Sequence, residues 1–347
     1  MRKIFITVSV LALTACCAQK TVIKKTGSET TSNNTIKNTA EIYANTITAD
    51  EMKTDLYIYA SDEFEGRDTG APGQKKAVEW LKKQYKKMGI SSVDGSDNYF
   101  QPIPEAYFEG KAYGDSENVL AYIKGTEKPD EVVVLSAHLD HVGYHDGQIY
   151  NGADDDGSGT VALLEIAEAF KKAKYAGVGP KRSVLILHVT GEEKGLFGSR
   201  FYAENPVFPL ANTVANINVD MIGRVDPQHE DKKRYIYVIG ADRLSTGLDA
   251  AVTEANKNLD GFNLDYKYND RNDPQRIYYR SDHYNFAKKG VPAVFFFSGL
   301  HEDYHQPTDT PDKIDYPLMT ERTKLIFYTA WELVNSKERI KVDRDGN

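Results

Sequence analysis

The chain has 347 residues, 27% of them charged and 40% hydrophobic, and a formal net charge of -8. That balance, with no run of basic residues, argues against a nucleic-acid partner, and no internal repeat is visible. Its two cysteines are the adjacent Cys16 and Cys17, so the rest of the chain has none with which to crosslink or bind metal.

Met1-Arg2-Lys3 followed by the apolar run Ile4 to Leu13 has the pattern of a secretory signal and is too short to span a bilayer. The run ends in Leu13-Thr14-Ala15-Cys16, which resembles a bacterial lipoprotein cleavage box. The resemblance implies cleavage before Cys16, lipidation of that cysteine, and an exported protein anchored in the cell envelope. Ordinary signal cleavage is the alternative. From Gln19 to Thr48 the chain is Thr, Ser, Asn and Lys with scattered apolar residues, too few to bury much surface. The expected organisation is a signal peptide over 1–15, a lipidated N-terminus and flexible tether over 16–48, and a single domain over 49–342.

Within that domain, Asp50 to Tyr59 and Gly73 to Met88 read as helices, the second ended by Gly89. Val132 to Ala137 is a short β-branched run, the mark of a strand buried on both faces, with His138 at its carboxyl end. Thr160 to Ala173 has helical spacing with one apolar and one charged side. Ser183 to Val189 and Val214 to Val219 repeat the buried-strand pattern, with Glu192-Glu193 just past the first and Asp220 directly after the second. Tyr266 to Arg280, dense in Asn, Asp, Arg and Tyr, reads as a loop near the site; Val291 to Phe297 as a fourth strand, before His305; and Leu318 to Val334 as a closing helix. Strands alternating with helices predict an α/β fold with a mostly parallel central sheet and helices on both faces. In such sheets ligands bind at the carboxyl ends of the strands, which is where these acidic and imidazole residues fall.

Each motif admits a chemical and a plainer reading. His138-Leu139-Asp140 can place an imidazole on a metal with a carboxylate orienting it; His-x-Asp alone fits a structural histidine better, and its position at a strand end favours the metal reading. Asp154-Asp155-Asp156 between glycines can cap a helix, yet three carboxylates in succession suggest repulsion relieved by a cation. Glu192-Glu193 is either a solvated turn or a ligand beside a general base. His301-Glu302-Asp303-Tyr304-His305 formally fits His-Glu-x-x-His, the motif of single-zinc endopeptidases, but that motif needs a helix, and Ser298-Gly299 and Gln306-Pro307 leave no room for one. His188, inside a strand, reads as a core residue, while His141, His145 and His229 have no partner in this scheme.

Taken together, His138-Leu-Asp140, Gly152-Ala-Asp-Asp155-Asp-Gly-Ser-Gly159, Glu192-Glu-Lys-Gly-Leu-Phe-Gly-Ser199, Asn218-Val-Asp220-Met-Ile-Gly223, Ser281-Asp-His283 and Tyr304-His305 resemble the co-catalytic zinc exopeptidases that include bacterial leucyl aminopeptidases and glutamate carboxypeptidase II. The resemblance covers roughly Ser61 to Val334. It implies a phosphorylase/hydrolase-like sandwich, peptide substrates and two zinc ions, although manganese or cobalt suits the same donors. By position, His138 and Asp220 would bind one zinc, Glu193 and His305 the other, and Asp155, three residues after Gly152, would bridge them. It further implies a cis peptide at Asp155-Asp156, Glu192 as general base, Asp140 as partner of His138, and Tyr304 as a hydrogen-bond donor to the tetrahedral intermediate. Ser281-Asp282-His283 would support the ligands, and Gly66-Arg67 would lie near the substrate end without chemistry of its own. The function expected is removal of N-terminal residues from peptides. A carboxypeptidase, a one-zinc glutaminyl cyclase and a non-catalytic binding ectodomain remain alternatives.

Overall fold

The four anticipated β-branched and apolar runs form parallel strands whose carboxyl ends share one rim. In the computed structural model, which describes Met1, residues 39–260 and residues 262–346, the strands are β1 Phe100–Ile103, β2 Ser116–Ile123, β3 Lys128–His138, β4 Gly143–His145, β5 Gln148–Tyr150, β6 Arg182–Val189, β7 Thr213–Val219, β8 Tyr235–Ile239, β9 Asn263–Asp265 and β10 Ala293–Phe297. The apolar start, the cleavage box with Cys16 and Cys17, and most of the expected tether lie outside the described residues.

Eight strands make one sheet in the order β1-β2-β6-β3-β7-β10-β8-β9, and β4 and β5 form a separate hairpin. The four anticipated strands are its parallel centre, β6-β3-β7-β10, with β6 buried at every position and β3 from Val132 onward. The flanks are mixed: β2 runs antiparallel to β6 and β8 antiparallel to β10. The unanticipated strands lack the long β-branched run. β1 carries a proline, tolerated at an edge, and β8, although all five of its buried residues are aromatic or β-branched, is short and directly follows charged Lys232, Lys233 and Arg234.

Helices cover both faces, as expected. Ala49–Tyr59 starts at Thr48, whose hydroxyl accepts the Glu51 amide at 3.3 Å, and Pro72–Met88 ends at Gly89 in the left-handed region (φ 67°). Two expectations need correction. The tether does not reach residue 48: residues 39–44 are helical, Ala40, Ala44 and Ile47 are buried, and Tyr43 stacks on Trp331 at 6.1 Å. Sparse apolar residues sufficed because they fall on one face, so the compact unit begins at Thr39. The helix Gly159–Tyr175 has no charged side over its first half, since it packs between the sheet and the helices Ala49–Tyr59 and Tyr316–Asn335.

That helix therefore buries Glu165. Burial, then the charges of Glu51 and Glu168, push its carboxyl up to about 8 from an ordinary 4.5. Between these values the unfolded chain releases a proton that the folded chain keeps, so stability is full below pH 4.5 and is lost as pH rises to 8. Glu165→Gln should raise stability at pH 8 by on the order of 2 kcal/mol and change it little at pH 4. Denaturant melts at the two pH values check this; equal effects at both would refute it.

Candidate active site

The rim formed by the strand ends collects the acidic and imidazole residues. His138 is the last residue of β3, Asp220 follows β7, Glu192 and Glu193 lie three and four residues past β6, and His305 comes from the loop after β10. Asp155 reaches them from the segment leading into the helix Gly159–Tyr175. Its two oxygens face opposite ways. Oδ1 lies 3.0 Å from His138 Nε2, which is itself 3.6 Å from Asp220 Oδ1. Oδ2 lies 3.0 Å from His305 Nε2, which is 3.1 Å from Glu193 Oε2. One carboxylate thus joins two donor groups, His138–Asp155–Asp220 and Asp155–Glu193–His305.

The acidic run divides its labour, which corrects the reading of three carboxylates around a cation. Asp156 accepts backbone N–H groups of His138 (3.1 Å), Gly159 (2.8 Å) and Met221 (3.1 Å), tying two strand ends to a helix start. Asp154 accepts the Gly223 amide at 2.6 Å and meets His301 Nε2 at 3.2 Å. Backbone amides, with the His301 ring on the second oxygen of Asp154, satisfy these two, and only Asp155 faces the donors. The Asp155-Asp156 peptide is cis.

Surrounding residues hold the donors in place. His138 Nδ1 bonds the backbone carbonyl of Asp140 at 3.0 Å, while the Asp140 carboxylate, 3.9 Å away, accepts from Thr69 Oγ1 (2.8 Å) and the Glu192 amide (3.2 Å). Asp140 therefore orients the imidazole through its main chain and the Glu192 loop through its side chain. Ser281 Oγ donates to Asp220 at 2.7 Å and accepts from Asn218. Arg67, fully buried, donates to the carbonyls of Leu139 (3.1 Å), Tyr59 (3.1 Å), Asn151 (2.7 Å) and Gly152 (2.9 Å), so it spans both donor loops. Its neighbour Gly66 (φ 68°) sits where a Cβ would come within 2.5 Å of the Gly143 and Tyr150 carbonyls.

The donor set fits divalent metal. Asp155 Oδ2 and Glu193 Oε1 are buried without a hydrogen-bond partner among the described residues, a costly state for carboxylate oxygens unless something positive sits between them. Imidazole and carboxylate donors together suit zinc and neighbouring transition metals. Burial raises the Glu192 carboxyl well above its ordinary value; His138 opposes this and the Glu193 charge adds to it. Glu192, with Asp155, Asp220, His138 and His305, lines a cavity continued by Met221, Ile277, Phe295, Phe297 and Leu300. Tyr304 stacks on His305 at 3.9 Å, and its hydroxyl accepts from Arg280 at 3.2 Å.

His301 and His305 do not act as a pair. The segment is a turn, His305 has φ 54°, His301 points at Asp154, and Glu302 is 75% exposed beside Arg224. A solvated surface pair contributes little, so Glu302→Gln should leave turnover within about twofold; a large loss would restore the single-zinc reading. Sequence reasoning missed Thr69, placed Arg67 near the substrate end where the structure makes it a buried brace, and left His141 without a partner. Only His141, one residue past the His-x-Asp motif, carried a signal that could have been read.

A parallel sheet with a carboxylate shared between two imidazole–carboxylate groups at its rim defines the metallohydrolase class. The sequence profile of peptidase family M28 matches residues 118–330, and the chain belongs to that family. It is 28% identical over 293 residues to a probable leucine aminopeptidase of Arthroderma otae, covering 83% of this chain and 74% of that one. Among solved structures it resembles the aminopeptidase from Aneurinibacillus sp. strain AM-1 (TM-score 0.65, 16% identity, 88% of this chain and 98% of that chain). It also resembles Porphyromonas gingivalis glutaminyl cyclase (TM-score 0.63, 18% identity, 82% and 98%).

Proposed function

We propose that the chain is a zinc-dependent aminopeptidase that holds two metal ions, one at His138, Asp155 and Asp220 and one at Asp155, Glu193 and His305. The observation that carries this is Asp155, with one oxygen at each donor group. The leucine aminopeptidase relative supports the N-terminal direction of cleavage. Metal ions bound there would polarise the scissile carbonyl and make a water more acidic.

Glu192 does the proton work. Held among apolar and acidic neighbours at the cavity wall, its carboxylate takes the proton of the attacking water and, once protonated, gives it to the departing amine. Tyr304 stands beside His305 with its hydroxyl available to the developing oxyanion, and Arg280 keeps that hydroxyl oriented. The apolar wall of Ile277, Phe295, Phe297 and Leu300 favours apolar N-terminal side chains. The signal-like start and the Cys16 box support export and a lipid anchor in the cell envelope.

Mass spectrometry of a mixed peptide pool incubated with the purified protein, with and without a chelator, tests the reading. Chelator-sensitive stepwise loss from amino ends is expected. Loss from carboxyl ends, or ammonia loss from amino-terminal glutamine, would replace it with a carboxypeptidase or a cyclase.

A further inference from the structure

We infer that His141 is a further protein ligand of the second metal site, so that the two sites are unequal: four protein groups at one, three at the other. The inference rests on the two-metal reading above and deepens it.

His141 is wholly buried, and neither ring nitrogen has a hydrogen-bond partner among the described residues. Leaving two polar ring atoms so placed is unfavourable. Nδ1 lies 2.8 Å from Glu193 Oε1 and 3.8 Å from Asp155 Oδ2, and the three residues offer donors within 4.8 Å of one another. Close as it is, this approach does not meet hydrogen-bond geometry. Glu193 Oε1, on its side, is equally unsatisfied. Two unsatisfied donors this close, beside a third on Asp155, are the pattern of groups meeting at a common ion.

The opposite wall belongs to His305, whose Nε2 uses Asp155 Oδ2 and the other oxygen of Glu193, and whose ring meets that of His141 edge-on at 5.7 Å. His305 is 37% exposed on its side chain, whereas His141 is sealed. Gly152 makes room for the sealed ring: a Cβ there would fall 2.5 Å from its Cγ and Cδ2. The glycine that precedes Asp155 thus also seats His141, fixing two donors of one site through a single residue.

Four protein donors close a zinc site, while three leave a position open. An ion held by His141, Asp155, Glu193 and His305 would be the more firmly bound, and one held by His138, Asp155 and Asp220 would keep a position free for substrate.

Zinc-edge X-ray absorption on the zinc-loaded protein, with metal content by atomic emission, tests this. Two zinc ions per chain carrying on average one and a half imidazoles each are expected. In His141→Ala that average should fall to one, with the tighter zinc weakened on the order of tenfold or more in dialysis. One imidazole per zinc in the unsubstituted protein, with both ions bound, would overturn the role of His141 and leave the two-metal reading intact. Failure to bind zinc would remove the reading on which it rests.

Discussion

Glu192→Gln should retain its metal and lose turnover by about 10²–10⁴-fold, the usual contribution of a positioned general base. The substitution keeps size and hydrogen-bonding capacity and removes only the ability to carry a proton. Glu192 is not among the donors that converge on Asp155, and its backbone amide, held by the Asp140 carboxylate at 3.2 Å, is untouched by the change. The loss should therefore fall in kcat, with zinc content by atomic emission and melting temperature close to the parent values. Unchanged turnover would end the assignment, and loss of zinc would move Glu192 from base to ligand.

Asp155→Asn should lower zinc content below one ion per chain and turnover by at least about 10³-fold, because a bridging carboxylate serves both sites and an amide can serve neither as an anion. The neighbouring acids provide the control. Asp156 and Asp154 hold backbone amides at 2.6–3.1 Å, so Asp156→Asn should reduce melting temperature while zinc still binds, since a buried acceptor network is weakened. Metal analysis and thermal melts on the pair decide between them. If Asp156→Asn were the variant that lost metal, the bridge would have to be reassigned one residue along.

The centre of the fold was legible because its physics is local. β3, β6, β7 and β10 each hold a stretch rich in Val, Ile, Leu or Phe, the composition expected of a strand buried on both faces. Their carboxyl ends pointed to Asp220, His138 and Glu193 without any knowledge of contacts. The flanking strands were hidden, since β1, β2 and β9 are short or interrupted by polar residues and owe their place to neighbours rather than to pattern. Within the site, the residues that converge on Asp155 were readable and those that position them were not. Asp155 could be told from Asp154 and Asp156 by the family resemblance alone, because which acid turns to backbone amides depends on φ and ψ at a glycine-flanked turn. Thr69 meets Asp140 across 71 residues of sequence, a distance at which periodicity carries no information.

Arg67 sets a lower bound on what can be called the enzyme. All five expected metal donors lie between residues 118 and 330, the span that the family profile matches. The guanidinium that spaces their loops comes from outside it, through Leu139, Asn151 and Gly152. A protein trimmed to the matched span would keep all five expected metal donors and lose the brace that spaces their loops. The stretch that encodes the chemistry is shorter than the stretch that encodes its geometry, and engineering on this scaffold has to respect the longer of the two.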